Sequence, residues 1–69
     1  MKISARNTLP GIVKKVERGA VNAEVTIEVA PSLTIVSVIT LDAVDSLKLK
    51  EGKKAYAVIK ASSVMVGTD

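Results

Sequence analysis

The chain contains no cysteine and no histidine. Disulfide staples are thereby excluded, and a zinc or other soft-metal centre loses its usual ligands. The same two absences remove the thiol nucleophile and the imidazole that act near neutral pH. Only one aromatic residue, Tyr56, is present, so the stacking platforms with which single-strand binders hold bases are missing. No apolar run is long enough to span a bilayer, and the N-terminus lacks the apolar core of a signal segment. The sequence reads as a cytoplasmic protein with no membrane partner. The four glycines are scattered and form no phosphate loop. Asp42 and Asp45, three residues apart, fit the start of a helix dipole better than a general acid and base. Neither an enzyme nor a catalytic cofactor is indicated.

The 69 residues allow one domain, residues 1–69. A core of this size rarely supplies more than about 3–5 kcal/mol without a staple. With disulfides excluded and a soft-metal site without its usual ligands, oligomerisation is the leading candidate for a staple. Hydrophobic residues make up 48% of the chain, more than so small a globule can hide, and large exposed apolar patches mark interfaces. Val occupies 11 positions and Ile 6, so the apolar content is mainly β-branched and favours strands. Ten basic and seven acidic residues leave a net charge of +3. That excess favours an anionic partner, but it is thin for tracking nucleic-acid phosphates.

Punctuation along the chain divides it into strands and one helix. Residues 1–7 read as a first strand or arm, residues 8–11 as a bend at Pro10-Gly11, and residues 12–17 as a second stretch of strand. After a turn at residues 18–20, Val21, Ala23, Val25, Ile27 and Val29 alternate with Asn22, Glu24, Thr26 and Glu28, the pattern of a half-buried strand. Ala30-Pro31-Ser32 is a turn. Residues 33–40 are more continuously apolar and read as a strand buried on both faces. Leu41, Val44 and Leu47 change the period to that of a short helix, with Asp42 and Asp45 early and Lys48 and Lys50 late. Residues 53–61 form another strand, Ser62-Ser63 breaks it, and Val64-Met65-Val66 is a short last strand. An all-β chain with a single helix between its third and fourth long strands suggests a five-stranded Greek-key barrel of the OB type.

Two short polar segments stand at the ends of this array. Ser4-Ala5-Arg6-Asn7 lies near the start and Lys60-Ala61-Ser62-Ser63 near the finish. Each offers a cation, a hydroxyl and small residues with accessible N–H groups, and neither contains an acid. A dehydrated tetrahedral dianion requires such a shell of donors. Arg6 supplies paired planar donors, Lys60 a point charge, Ser4, Ser62 and Thr40 hydroxyls, and Ala5 and Ala61 main-chain N–H. Taken one at a time, the residues have plainer readings. Arg6 pairs with Glu28 or Asp42, Lys60 is a solvated strand residue, and the serines end strands. Taken together, they point to capture of a small oxyanion. The competing reading is a structural or assembly module with no specific anion ligand.

Three motifs carry a resemblance that covers essentially the whole chain: Ser-Ala-Arg-Asn-x-Leu-x-Gly from Ser4, Gly-Ala-Val-Asn-Ala-Glu-Val from Gly19, and Val-Ile-Lys-Ala-Ser-x-Val-Met-Val from Val58. In this order they resemble the molbindin (Mop) family. The resemblance implies an OB-like barrel, a hexamer built as a trimer of dimers, and molybdate or tungstate held at subunit interfaces for storage or buffering. Ser4, Arg6, Lys60 and Ser62 match family positions that hold the anion, with N–H groups around Ala5 and Ala61. Thr40 matches a hydroxyl supplied by a neighbouring subunit. A second oxyanion site in the family implies a place to look around Val21, Asn22 and Ala23.

Overall fold

A computed structural model describes all 69 residues. Four strands form one antiparallel sheet: β1 (Asn7–Arg18), β2 (Asn22–Ala30), β3 (Leu33–Thr40) and β4 (Lys54–Ile59), in the spatial order β3-β2-β1-β4. A helix α1 (Leu41–Leu47) follows β3, and a 3-10 turn η1 (Ala61–Ser63) follows β4. The chain is therefore mostly β with one short helix, as the sequence suggests, but it has four strands instead of five.

The difference lies at both ends. The expected bend at Pro10-Gly11 is interior to β1, which runs unbroken from Asn7 to Arg18. Pro10 is tolerated there because β1 pairs with β2 only from Ile12 onward, so residues 7–11 are bonded to β4 alone. Gly11 marks a close approach. A Cβ at that position would lie 2.5 Å from the Glu28 carbonyl oxygen and 2.7 Å from Ile27 Cγ2. Residues 1–6, read as a strand or arm, and Val64–Val66, read as a short last strand, form no strand.

The alternation of β2 appears as expected, with Ala23, Val25 and Ile27 buried and Asn22 and Glu24 exposed. Its turn into β3 places Pro31 first and Ser32 second at φ 60°, the pattern of a type II turn. β3 departs from its expected double burial. It is an edge strand whose Ile35, Ser37 and Ile39 face inward, while Val36 and Val38 are 56% and 65% exposed. Register shifts at Lys14 in β1 and Val29 in β2 add coil to the sheet, as bulges do.

The helix starts at Thr40, whose Oγ1 accepts a hydrogen bond from the Ala43 N–H at 3.1 Å. It ends in a Schellman arrangement. Lys48 takes the left-handed conformation (φ 54°, ψ 44°), its N–H donates to Asp45 O, and the Leu49 N–H donates to Val44 O. Val44 is 2% exposed and inserts into the core formed by Val13, Ala23, Val25, Ile27 and Ala57. Burying such a side chain stabilises by about 1.5–3 kcal/mol. Arg18, at the far end of β1, clamps the helix from outside with a paired contact to Asp45, Nη1–Oδ1 3.0 Å and Nη2–Oδ2 3.4 Å.

That core is thin. Six of the 69 residues are buried, and the chain exposes 5514 Å². A compact protein of this mass exposes about 4,100 Å² by the usual surface scaling, so about 1,400 Å² is in excess.

Candidate functional site

The geometry of the site follows from the β1–β4 ladder. Its rungs join Asn7 to Ile59, Thr8 to Val58, Leu9 to Ala57 and onward to Ile12 opposite Lys54. The two polar end segments thus emerge next to each other, from the same end of two adjacent strands. Beyond the last rung neither segment is strand: residues 4–6 are irregular backbone and Ala61–Ser63 form the 3-10 turn η1. They leave the ladder at Asn7 and Ile59, and together they line one cleft of about 520 Å³ formed by Ile3, Ser4, Ala5, Arg6, Val58, Lys60, Ala61 and Ser62.

Six of the seven residues expected around a first anion therefore meet in a single chain. Thr40 does not join them. It pairs with Asn22 on β2, whose neighbour Ala23 faces Arg18 at the opposite end of β1. Its hydroxyl oxygen caps α1 and keeps its own proton free to donate elsewhere. Val21 and Asn22 lie exposed beside it. Their carbonyls are already engaged, Val21 O by the Leu41 N–H and Asn22 O by the Gly19 N–H. Ala23 is buried in the core, so its side chain faces away from any ion.

The cleft is rich in idle donors. The three ion pairs of the chain are Lys14–Glu28, Lys15–Glu17 and Arg18–Asp45, which leave Arg6 and Lys60 without a carboxylate. The expected surface pairing of Arg6 with Glu28 or Asp42 does not form. No hydrogen bond occupies the hydroxyls of Ser4 or Ser62. The backbone N–H groups of Ala5, Ala61 and Ser62 likewise lack partners, the turn η1 using only those of Ser63 and Val64. No acidic side chain lines the cleft. Two cations, two hydroxyls and three free N–H groups around one concavity form a surface that attracts an anion, while its two positive charges and lack of a carboxylate disfavour a cation.

Three residues have roles here that the sequence reading did not assign. Asn7 Nδ2 donates to Ile59 O at 3.3 Å and fastens the last rung before the cleft. Ile3 and Val58 supply apolar wall. The first has a signal in the mirrored order of the two segments around Asn7, since a polar side chain just inside the mouth is placed to brace it.

Comparison with known proteins identifies the family. The family model for the TOBE domain matches residues 3–66. A probable molybdenum-pterin-binding protein of Haemophilus influenzae is 52% identical over 69 residues, covering all of both chains. Molybdenum-pterin-binding protein 3 of Clostridium pasteurianum is 47% identical over 66 residues, 96% of this chain and 97% of that one. Among solved structures, MopII of Clostridium pasteurianum superposes with a TM-score of 0.91 at 45% identity, covering 97% of this chain and all of the other. The cytoplasmic molybdate-binding protein ModG, in a form with molybdate bound, superposes with a TM-score of 0.94 at 51% identity. It matches this whole chain with 49% of its own length. With its OB-like curled sheet, its mirrored polar ends and relatives that match it end to end, the chain belongs to the molbindin (Mop) family of TOBE domains.

Proposed function

We propose that this protein captures molybdate or tungstate in the Arg6–Lys60 cleft and serves as a cytoplasmic store or buffer of the metal oxyanion. It is a binding protein and not an enzyme, as its family is, and no bond is made or broken. The observation that carries the reading is the pairing of two carboxylate-free cations with idle hydroxyls and N–H groups in one acid-free cleft. The relatives' names agree on molybdenum, and one of them is described as cytoplasmic. No helix of the chain is long and apolar enough to cross a membrane.

Arg6 holds two oxygens of the anion through its planar fork, and Lys60 faces it with a second charge. Ser4 and Ser62 donate from their hydroxyls, Ala5 and Ala61 from the backbone. In one chain the cleft is open to water. A subunit boundary would close it, and Thr40 of a neighbouring subunit would complete the shell with the hydroxyl proton its capping role leaves free. A hexamer built as a trimer of dimers supplies such boundaries, and Val21 to Ala23 mark the place of a second oxyanion position. Anion bound between subunits favours the assembly by mass action.

Calorimetric titration of the purified protein with molybdate, beside sulfate at equal ionic strength, tests the reading. Tight saturable heat with molybdate and little with sulfate is expected, as is loss of that heat in Arg6→Ala with the assembly retained. Absence of heat with either anion would leave the plain assembly module as the better account.

A further inference from the structure

The cleft between the two end segments is not polar throughout. Ile3 and Val58 line it beside Ser4, Arg6, Lys60 and Ser62. The ladder holds Val58 opposite Thr8, one rung inside Asn7–Ile59. Lys60 keeps extended backbone (φ −61°, ψ 130°), so strand alternation carries through it and sets Val58 and Lys60 on the same face. The neighbour of the cation on that face is therefore an apolar, β-branched side chain with a stiff χ1. On the other segment, Ile3 directly precedes Ser4. The fold buries neither fully, Ile3 being 53% and Val58 40% exposed. A threonine would suit the strand at position 58 as well as valine does. The apolar character of these two residues thus bears on what enters the cleft more than on the core.

The donors of the cleft do not by themselves discriminate among tetrahedral dianions. Sulfate and molybdate share shape and charge and accept the same hydrogen bonds. They differ in size. The shorter S–O bonds make sulfate the smaller ion, and the cost of taking a charge out of water rises as its radius falls. An apolar surface returns no hydrogen bond for the water it displaces. Against such a surface the smaller anion loses more hydration, while the larger one makes the wider dispersion contact.

We propose, resting on the oxyanion reading above, that Ile3 and Val58 determine specificity by forming a dry wall that turns the cleft against sulfate and toward anions of molybdate or tungstate size. Affinity resides in Arg6, Lys60 and the donors around them. Selectivity resides in two side chains that offer the anion no hydrogen bond, because specificity is a difference of affinities and a penalty on the competitor serves it as well as a gain for the ligand.

Molybdate titrations of the assembled protein at rising sulfate and constant ionic strength give the affinity ratio of the two anions. Substitutions of equal size separate polarity from volume. Val58→Thr keeps the branched shape and adds a hydroxyl, and it is expected to narrow the molybdate-to-sulfate ratio severalfold, chiefly through tighter sulfate. Ile3→Thr is expected to narrow it likewise from the other segment, outside the sheet, whether or not Val58→Thr assembles. Ile3→Val, which matches Ile3→Thr in size but stays apolar, is expected to keep the parent ratio. An unchanged ratio in the threonine variants overturns the proposal. So does a shift in Ile3→Val as large as that in Ile3→Thr, which would show that the width of the cleft selects. A parent protein that holds sulfate as tightly as molybdate also overturns it and leaves the oxyanion reading standing. Absence of molybdate heat in the parent overturns both.

Discussion

Asn7 and Ile59 form the last rung of the β1–β4 ladder, and the Asn7 side chain adds a hydrogen bond to the Ile59 carbonyl at 3.3 Å. Everything polar in the cleft hangs beyond this rung. Asn7→Ala is expected to cost about 1 kcal/mol of stability, the usual net worth of such a bond. It should also weaken molybdate binding severalfold without removing any group proposed to touch the anion. Thermal unfolding and calorimetric titration of the same variant separate the two effects.

Charge and fork at Arg6 are separable. Arg6→Lys keeps the charge and loses the paired planar donors, so its molybdate affinity should fall between those of the parent and Arg6→Ala. Loss of a hydrogen bond to a charged group is worth about 1.5–3 kcal/mol, so the alanine variant should bind about ten- to a hundredfold more weakly. Equal affinities for lysine and arginine would show that Arg6 acts by charge alone.

Lys48 occupies a left-handed backbone position at the helix end, where glycine is preferred. Lys48→Gly is expected to raise stability by about 0.5–1 kcal/mol, because relief of the Cβ clash outweighs the added freedom of the unfolded chain. The denaturation midpoint should move upward with the slope of the transition unchanged.

The opposite outcome is expected at Gly11. A methyl there would meet backbone of β2 at 2.5 Å, and backbone cannot swing aside as a side chain can. Gly11→Ala should cost about 1–3 kcal/mol by overpacking. Gly11→Val should lose the two-stranded contact near Ile12 and with it the cooperative transition.

The Arg18–Asp45 clamp has good geometry but side chains 49% and 64% exposed. A double-mutant cycle to alanine should give a coupling of about 0.2–1 kcal/mol, shrinking as salt is raised. A larger coupling that resists salt would mean that the pair is covered in the assembly.

Much of the fold was readable from local chemistry. The alternation of Ala23, Val25 and Ile27, the Pro31 turn and the periodicity of Leu41, Val44 and Leu47 all reappear, because each is decided by neighbours in sequence. Pro10 and Gly11 misled, since their meaning depends on what lies beside the strand: an open flank in the first case, an approaching carbonyl in the second. β3 misled for a related reason. Its Val36 and Val38 suggest burial, yet nothing within one chain covers them. Of the proposed anion shell, the two end segments were legible as a pair of donor sets, and the pairing of β1 with β4 brings them to one cleft. Thr40 was legible as a hydroxyl, but its distance from the cleft within one chain depends on the pairing of β2 and β3.

That the cleft is aligned by counting along a ladder limits how the chain can change length. Loss or gain of one residue in β1 between Asn7 and Ile12, or in β4, would advance one polar segment past the other and turn its side chains to the opposite face. Arg6 and Lys60 would then no longer follow the same rung. The turns at residues 19–21, 31–32 and 48–53 lie outside the rungs that join the two segments. Insertions there would leave the register of β1 against β4 untouched. Length variation among functional versions of this domain is therefore expected in its turns, and a fixed count in its paired strands.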